Sequence, residues 1–195
     1  MIKNIVLDLG GVLFDDSLSC WNELLGRDAS DVEAAVMAAN YYWLCDVGKI
    51  SMADYESILG DNPLIEDIRR VLDVDNYFIT YPLITENYEY VRELKHQGYN
   101  IYLLSNIGDE HLKYVKSIIN ADSLVDGAVY SCEEGMAKPD PAIFRLIMKR
   151  YNLDSSSTVF FDDKQRNVDA ANETGLPARL FSSIDDIKTC LANGS

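Results

Sequence analysis

Four short polar groups follow apolar runs in this chain. Asp8 follows Ile5-Val6-Leu7, and Ser105-Asn106 follows the run 101–104. Lys138 lies in the loop after Val129-Tyr130, and Asp162-Asp163 follows Val159-Phe160-Phe161. Each residue type brings a different capability. An aspartate is a nucleophile or a metal ligand, a serine hydroxyl with nearby backbone N–H groups holds an anion, and a lysine neutralises one. Asp162 and Asp163 are neighbouring carboxylates that repel each other, and a cation relieves that repulsion. Singly, Asp8 serves as a turn residue or helix cap, Ser105-Asn106 as a capping loop and Lys138 as a solvated lysine. Each falls at the end of an apolar run, and in this order the four are expected to converge on one site.

The elements that must position them read as alternating strands and helices. Apolar runs predict strands at 2–7, 100–104, 128–131, 158–161 and 178–181. Helical spacing predicts helices at 84–97, 110–119, from Pro139 to about 151, at 167–174 and at 184–191, with Gly98 and Gly175 as stops. Residues 17–82 read as helical throughout. Ser30-Asp31-Val32-Glu33 has the form of a capping box, and 51–59 (closed by Gly60) and 66–72 read as further helices. Alternation implies parallel βαβ units with helices on both faces, so the expected class is α/β with a Rossmann-like parallel sheet. The helical stretch reads as an insertion after the first strand, giving a core of 1–16 and 83–195 and a helical cap of 17–82. Such sheets bind ligands at the carboxyl ends of their strands, where the four groups fall.

Composition narrows the function. Seventeen Lys and Arg against 32 Asp and Glu give a formal net charge of −15, spread along the chain. That surface repels nucleic acid and anionic membranes, which excludes both as partners. No apolar run approaches the ~20 residues that span a bilayer. The start MIKNIVLDLGGVLF is interrupted by Asp8 and lacks a cleavage site, so no signal peptide is expected. Cys20, Cys45, Cys132 and Cys190 are widely spaced, which suits reduced thiols in a cytoplasmic protein rather than a zinc site.

The four groups, in order, resemble the motifs of the haloacid dehalogenase-like hydrolases. Asp8-Leu9-Gly10-Gly11-Val12 is similar to the first, Leu104-Ser105-Asn106 to the second, Ala137-Lys138-Pro139-Asp140-Pro141 to the third. Residues 161–167, Phe-Asp-Asp-Lys-Gln-Arg-Asn, are similar to the fourth. The stretch 48–55 looks like the small helical cap of the subgroup that holds sugar-phosphate phosphatases. The Asp-Leu-Gly-x-Val form looks closest to the α-D-glucose-1-phosphate phosphatase-like branch. The resemblance implies a Mg²⁺-dependent phosphatase acting on a small phosphorylated metabolite through an aspartyl-phosphate on Asp8. Hard oxygen ligands suit Mg²⁺, with Asp8 and Asp163 as its carboxylates. The family pattern adds the Gly10 carbonyl, and it puts Asp162 and Asn167 behind the ligands, with Asp162 able to coordinate directly. Ser105, Asn106 and Lys138 are then expected to hold the phosphate.

One position departs from the pattern. Most phosphatases of this superfamily carry a second aspartate where Gly10 stands, as the acid that protonates the leaving alcohol. General acid help is worth about 10²–10⁴-fold. Three explanations compete: an acidic leaving group such as the anomeric oxygen of a hexose 1-phosphate, a substitute carboxylate (Asp15, Asp16 or a cap residue), or a protein that binds phosphorylated ligands with little turnover. Asp15 is also a candidate for sugar hydroxyls. Trp21, Tyr41, Tyr42, Trp43 and Asp46 are candidates for lining the lid side of the site. Related dehalogenases carry a tyrosine at the Gly10 position and need no metal, so the Asp162-Asp163 pair argues for phosphate.

Overall fold

The structure is a computed structural model that describes residues 1–38, 41–119 and 124–193. Five parallel strands form its sheet: β1 (Asn4–Leu7), β2 (Asn100–Ser105), β3 (Gly127–Tyr130), β4 (Thr158–Asp162) and β5 (Ala178–Leu180), in the order β3-β2-β1-β4-β5. β1 is central. Ile5 pairs with Ile101 on one side and Val159 on the other, and Leu7 with Leu103 and Phe161.

Alternation along the strands splits the core in two. Ile5, Leu7, Ile101, Leu103, Val159 and Phe161 face one layer with residues of α7 (Thr85–His96), α8 (Asp109–Ile119) and α12 (Ile184–Asn193). Val6, Leu104, Val129 and Phe160 face the other, with α10 (Pro141–Arg150) and α11 (Gln165–Thr174). Both faces are covered, as parallel sheets require.

Between β1 and β2 run α1 (Leu18–Leu25), α2 (Ser30–Ala38), α3 (Tyr41–Asp46), α4 (Met52–Leu59), α5 (Ile65–Leu72) and the single turn α6 (Tyr77–Thr80). The first five of these helices share an apolar cluster of their own, with Val32, Val36, Tyr55, Ile68 and Val71 at its centre. α5 shows why: Ile68, Val71 and Leu72 point in, while Glu66 and Arg69 pair outside. The chain leaves and rejoins the sheet at adjacent points. Asp15 N–H donates to the Pro82 carbonyl at 2.9 Å, and Ile84 N–H to that of Leu13 at 2.8 Å. No helix among the described residues is long and apolar enough to cross a membrane.

Three details differ from the sequence expectation. Asp28, rather than Ser30, caps α2, its Oδ1 accepting Ser30 N–H at 3.0 Å. Ser51 does form a capping box with Asp54. α10 starts at Pro141 rather than Pro139, because Asp140 accepts Ala142 N–H and places Pro141 in the first turn, where a missing N–H costs nothing. β3 stops at Tyr130 because Ser131 opens the short α9 (Ser131–Glu134).

Candidate active site

Lys138 organises the carboxyl edge of the sheet. It is 3% exposed, and its Nζ reaches the ends of three strands. It lies 2.8 Å from Asp8 Oδ2 just past β1 and 2.7 Å from Asp162 Oδ2 at the end of β4, and it donates to the Leu104 carbonyl of β2 at 2.9 Å. An ammonium has three protons, and each has an acceptor here. Asn106 holds the backbone of this lysine from both sides. Its Oδ1 accepts Lys138 N–H at 2.7 Å and its Nδ2 donates to Lys138 O at 2.8 Å.

Two buried carboxylates share that one cation, and their environments separate them. Asp162 is fully buried, which opposes its charge, yet Lys138 and further donors hold its carboxyl below the usual range. Those donors are Lys164 N–H at 2.9 Å and Asn167 Nδ2 at 2.9 and 3.1 Å. Both Asp162 oxygens are thus engaged, so Asp162 anchors Lys138. Asn167 donates to it from α11. Asp8 has fewer donors: Lys138 and Leu9 N–H, the latter at 2.7 Å from Oδ1. Its carboxyl is pushed up to about 7, chiefly by burial, with Lys138 opposing and the Asp162 charge adding to the rise.

Asp163 is half-buried, and its Oδ1 is a buried oxygen with no hydrogen-bond partner among the described residues. Burial raises its carboxyl above the ordinary value, against the pull of Lys164. Carboxylate oxygens of Asp8, Asp162 and Asp163 all lie within 4.8 Å of one another. An orphaned carboxylate oxygen beside a second, under-neutralised carboxylate is a donor set that fits a hard divalent cation such as Mg²⁺. Gly11 permits this approach. It sits at φ +69°, and a β-carbon there would fall 2.7 Å from Asp163 Oδ2. Gly11→Ala should therefore cost about 1–3 kcal/mol from backbone strain alone, and should weaken the Mg²⁺-induced rise in Tm by turning Asp163 away. An unchanged Tm and an unchanged Mg²⁺ response would contradict this.

Above these groups lies a cavity of about 710 Å³ between the sheet edge and the helices α1, α2, α3 and α5. Asp8, Gly10, Asn106, Lys138 and Asn167 line it, together with Trp21, Trp43 and Asp46 from the helical side. Asp46 is pushed up to about 7, mainly by burial and also by the Asp8 charge, with Lys164 and Lys138 opposing. Trp43 is half exposed, with Lys49 Nζ 5.1 Å from its ring centre. The side chains of Tyr41 and Tyr42 lie outside the described ones. Asp15 is not brought to the cavity wall: its Oδ1 accepts Ser17 N–H at 2.9 Å, at the start of α1. Ser105 is buried at the strand end, its hydroxyl directed to the Asn106 carbonyl at 3.4 Å. Ile107 N–H is taken by Ser131 Oγ at 2.8 Å, so the N–H groups of Asn106 and Gly108 are the remaining candidates for an anion cradle.

Several lining residues were not anticipated. Lys164 follows the acidic pair directly, and surrounding carboxylates, Asp16 first, keep it charged against partial burial. His111, in the first turn of α8, stacks on Tyr77 at 4.0 Å, and burial lowers its pKa to about 4. It is neutral at physiological pH and supplies no proton there. A lone histidine in a helical run carries no sequence signal for this placement.

The chain is 28% identical over 193 residues to a sesquiterpene phosphatase of Aspergillus oryzae, covering 97% of this chain and 93% of the relative. It is 26% identical to a D-ribitol-5-phosphate phosphatase of Bacteroides thetaiotaomicron, covering 90% of each. A HAD family enzyme of the same bacterium, solved in complex with magnesium and inorganic phosphate, shares the fold with a TM-score of 0.72 at 24% identity, over 92% of this chain and 94% of that one. The model of the haloacid dehalogenase-like hydrolases matches residues 2–175, and the chain belongs to that family.

Proposed function

We propose that this chain is a Mg²⁺-dependent phosphomonoester phosphatase whose nucleophile is Asp8, with residues 17–82 as a helical cap over a core of 1–16 and 83–195. The observation that carries this reading is the edge of the sheet itself. A carboxylate at the centre of the sheet is paired with a buried lysine and stands beside a carboxylate with an orphaned oxygen. Asp8, Asp163 and the Gly10 carbonyl would hold the cation. When bound, Mg²⁺ neutralises charge between the two anions that must meet, the carboxylate and the phosphate.

The chain's own residues do the rest. Asp8 attacks phosphorus, and the ester oxygen departs with its electron pair, leaving an aspartyl-phosphate that water cleaves. Lys138 holds Asp8 in place and stabilises negative charge on the phosphoryl oxygens. Asp162, Asn167 and Asn106 fix Lys138. Ser105 and the N–H groups of Asn106 and Gly108 are the phosphate cradle.

For the alcohol, a sugar phosphate such as a hexose 1-phosphate remains the first reading. It is supported by its acidic anomeric oxygen, by Trp43 and Asp46 on the wall, and by the polyol-phosphate relative. A second reading, an apolar phosphomonoester, is favoured by Leu18, Trp21, Met37, Val47 and Val71 on the same wall and by the sesquiterpene phosphatase relative.

The test is phosphate release from hexose 1-phosphates, polyol phosphates and terpenyl monophosphates, with Mg²⁺ and with excess chelator. Release should require Mg²⁺, and Asp163→Asn should lower it by about 10²-fold or more while abolishing the Mg²⁺-induced rise in Tm. Turnover in chelator would refute the reading. Ligand-induced stabilisation without turnover would make the chain a phospholigand-binding protein, and halide release from 2-haloacids a dehalogenase.

A further inference from the structure

Gly10 cannot transfer a proton, yet the space a side chain would fill there is occupied. A β-carbon built on Gly10 stands 2.6 Å from Asp16 Oδ2, 3.2 Å from Asp16 Cγ and 3.5 Å from the Tyr81 hydroxyl. The Asp16 carboxylate therefore fills the volume of a residue-10 side chain, beside the nucleophile at position 8. It arrives there on the return limb of the turn that follows Asp8. Gly11 N–H donates to Phe14 O at 2.8 Å, Asp15 N–H donates to Pro82 O at 2.9 Å, and the Phe14 ring stacks on Tyr81 at 5.0 Å. These contacts hold the turn that carries Asp16 beside residues 81 and 82, where the chain returns to the sheet.

The carboxylate is also available. Among the described residues no hydrogen bond to it is formed, and its ion-pair partner is Lys164 Nζ at 3.6 Å. It lines the cavity and is 39% exposed. The other acidic neighbours are committed, with one exception. Asp15 accepts Ser17 N–H, Asp140 accepts Ala142 N–H, and Asp162 is saturated. The exception is Asp46, which faces the same cavity from α3 and feels the Asp8 charge, but whose carboxylate does not occupy the space of a residue-10 side chain.

Resting on the phosphatase reading above, we propose that Asp16 is the catalytic acid, standing in from sixteen for the carboxyl that position 10 lacks. As Asp8 forms its bond to phosphorus, the bond from phosphorus to the ester oxygen breaks. Its electron pair stays on that oxygen, which takes the proton of the Asp16 carboxyl and leaves as the neutral alcohol. The Asp16 carboxylate then accepts a proton from the water that attacks the aspartyl-phosphate. Orthophosphate is released, and Asp8 and the protonated Asp16 are restored. With this acid in place, the enzyme does not need an intrinsically acidic leaving group.

The leaving group supplies the test. kcat/KM ends at departure of the alcohol, so it reads the acid step without the hydrolysis that follows. Asp16→Asn should lower kcat/KM by about 10²–10⁴-fold for an alkyl phosphate, and by roughly tenfold or less for p-nitrophenyl phosphate, whose leaving group needs little protonation. Gly10 has no positive φ and accepts a side chain once Asp16 is shortened. The double variant Gly10→Asp/Asp16→Ala should therefore move the alkyl-to-aryl ratio back toward the wild-type value relative to Asp16→Ala. Equal losses on both substrates, no loss, a selective loss in Asp46→Asn instead, or a double variant with the ratio of Asp16→Ala would each overturn the assignment. Failure of the wild-type protein to release phosphate from either substrate would instead refute the phosphatase reading itself.

Discussion

Asp8→Asn is expected to lower phosphate release by more than about 10³-fold, and to raise the stability of the metal-free protein above neutral pH. Asparagine matches aspartate in shape and still accepts from Leu9 N–H or Lys138, so the strand end keeps its hydrogen bonds. What disappears is a buried charge. The Asp8 carboxyl is pushed up to about 7 in the folded protein, against 3.8 for an unperturbed aspartate. Between these values the folded chain holds a proton that the unfolded chain has released. Stability therefore falls as pH rises through this window, and the cost is complete above about 7. Below the lower value both states are protonated and the group has no effect.

His111 acts in the opposite sense between about 4 and the ordinary histidine value of 6.5, because there the unfolded state binds the extra proton. The difference in Tm between Asp8→Asn and wild type cancels that contribution. In chelator this difference should grow from pH 4 to pH 8 and should shrink when Mg²⁺ is added. A difference independent of pH would show that Asp8 is not carrying the burden of two carboxylates on one lysine.

Lys138→Met should be the most destabilising single change at the site. It removes the common partner of Asp8 and Asp162, both nearly inaccessible, and leaves the Leu104 carbonyl without its donor. Breaking a buried ion pair from one side costs about 3–5 kcal/mol, because the remaining charge stays buried. Urea denaturation at pH 7.5 should show a loss of that order, together with loss of phosphate release. Near pH 5 the penalty should be smaller, since Asp8 is then protonated. Lys138→Arg should not restore activity, because a planar guanidinium cannot serve three acceptors converging on one point. A loss below about 1 kcal/mol for Lys138→Met would mean that the pairing contributes little.

The sheet was legible because its strands are short apolar runs, and because the chemical residues fall where those runs end. Asp8, Lys138 and Asp163 follow from that pattern, and their mutual approach follows from β1 lying between β2 and β4. The division of labour between Asp162 and Asp163 was not legible in the residues themselves and entered only as what the resemblance implies. Adjacent residues at a strand end face different ways, and only the packed structure shows Lys138 and Asn167 reaching one and leaving the other's oxygen bare. The Asn106 clamp on Lys138 joins residues 32 positions apart, a separation no local pattern records. Asp16 stood among the substitutes for the missing acid, but its place depends on how the turn after Asp8 folds back. Helix boundaries moved where a neighbouring aspartate captured the first free N–H, as Asp28 does for α2 and Asp140 for α10.

The lysine that joins three strand ends also links reactivity to cooperative opening. β1 cannot separate from β2 or β4 without breaking contacts of the Lys138 ammonium, so the amides around Asp8 are expected to be among the last to exchange with solvent. The helices between β1 and β2 pack on a separate apolar cluster and carry Trp43 and Asp46. They can loosen to admit a ligand while the sheet stays closed. On the proposed reading, selection of the alcohol and activation of Asp8 would rest on separate apolar clusters, and a sequence could drift in the first without disturbing the second.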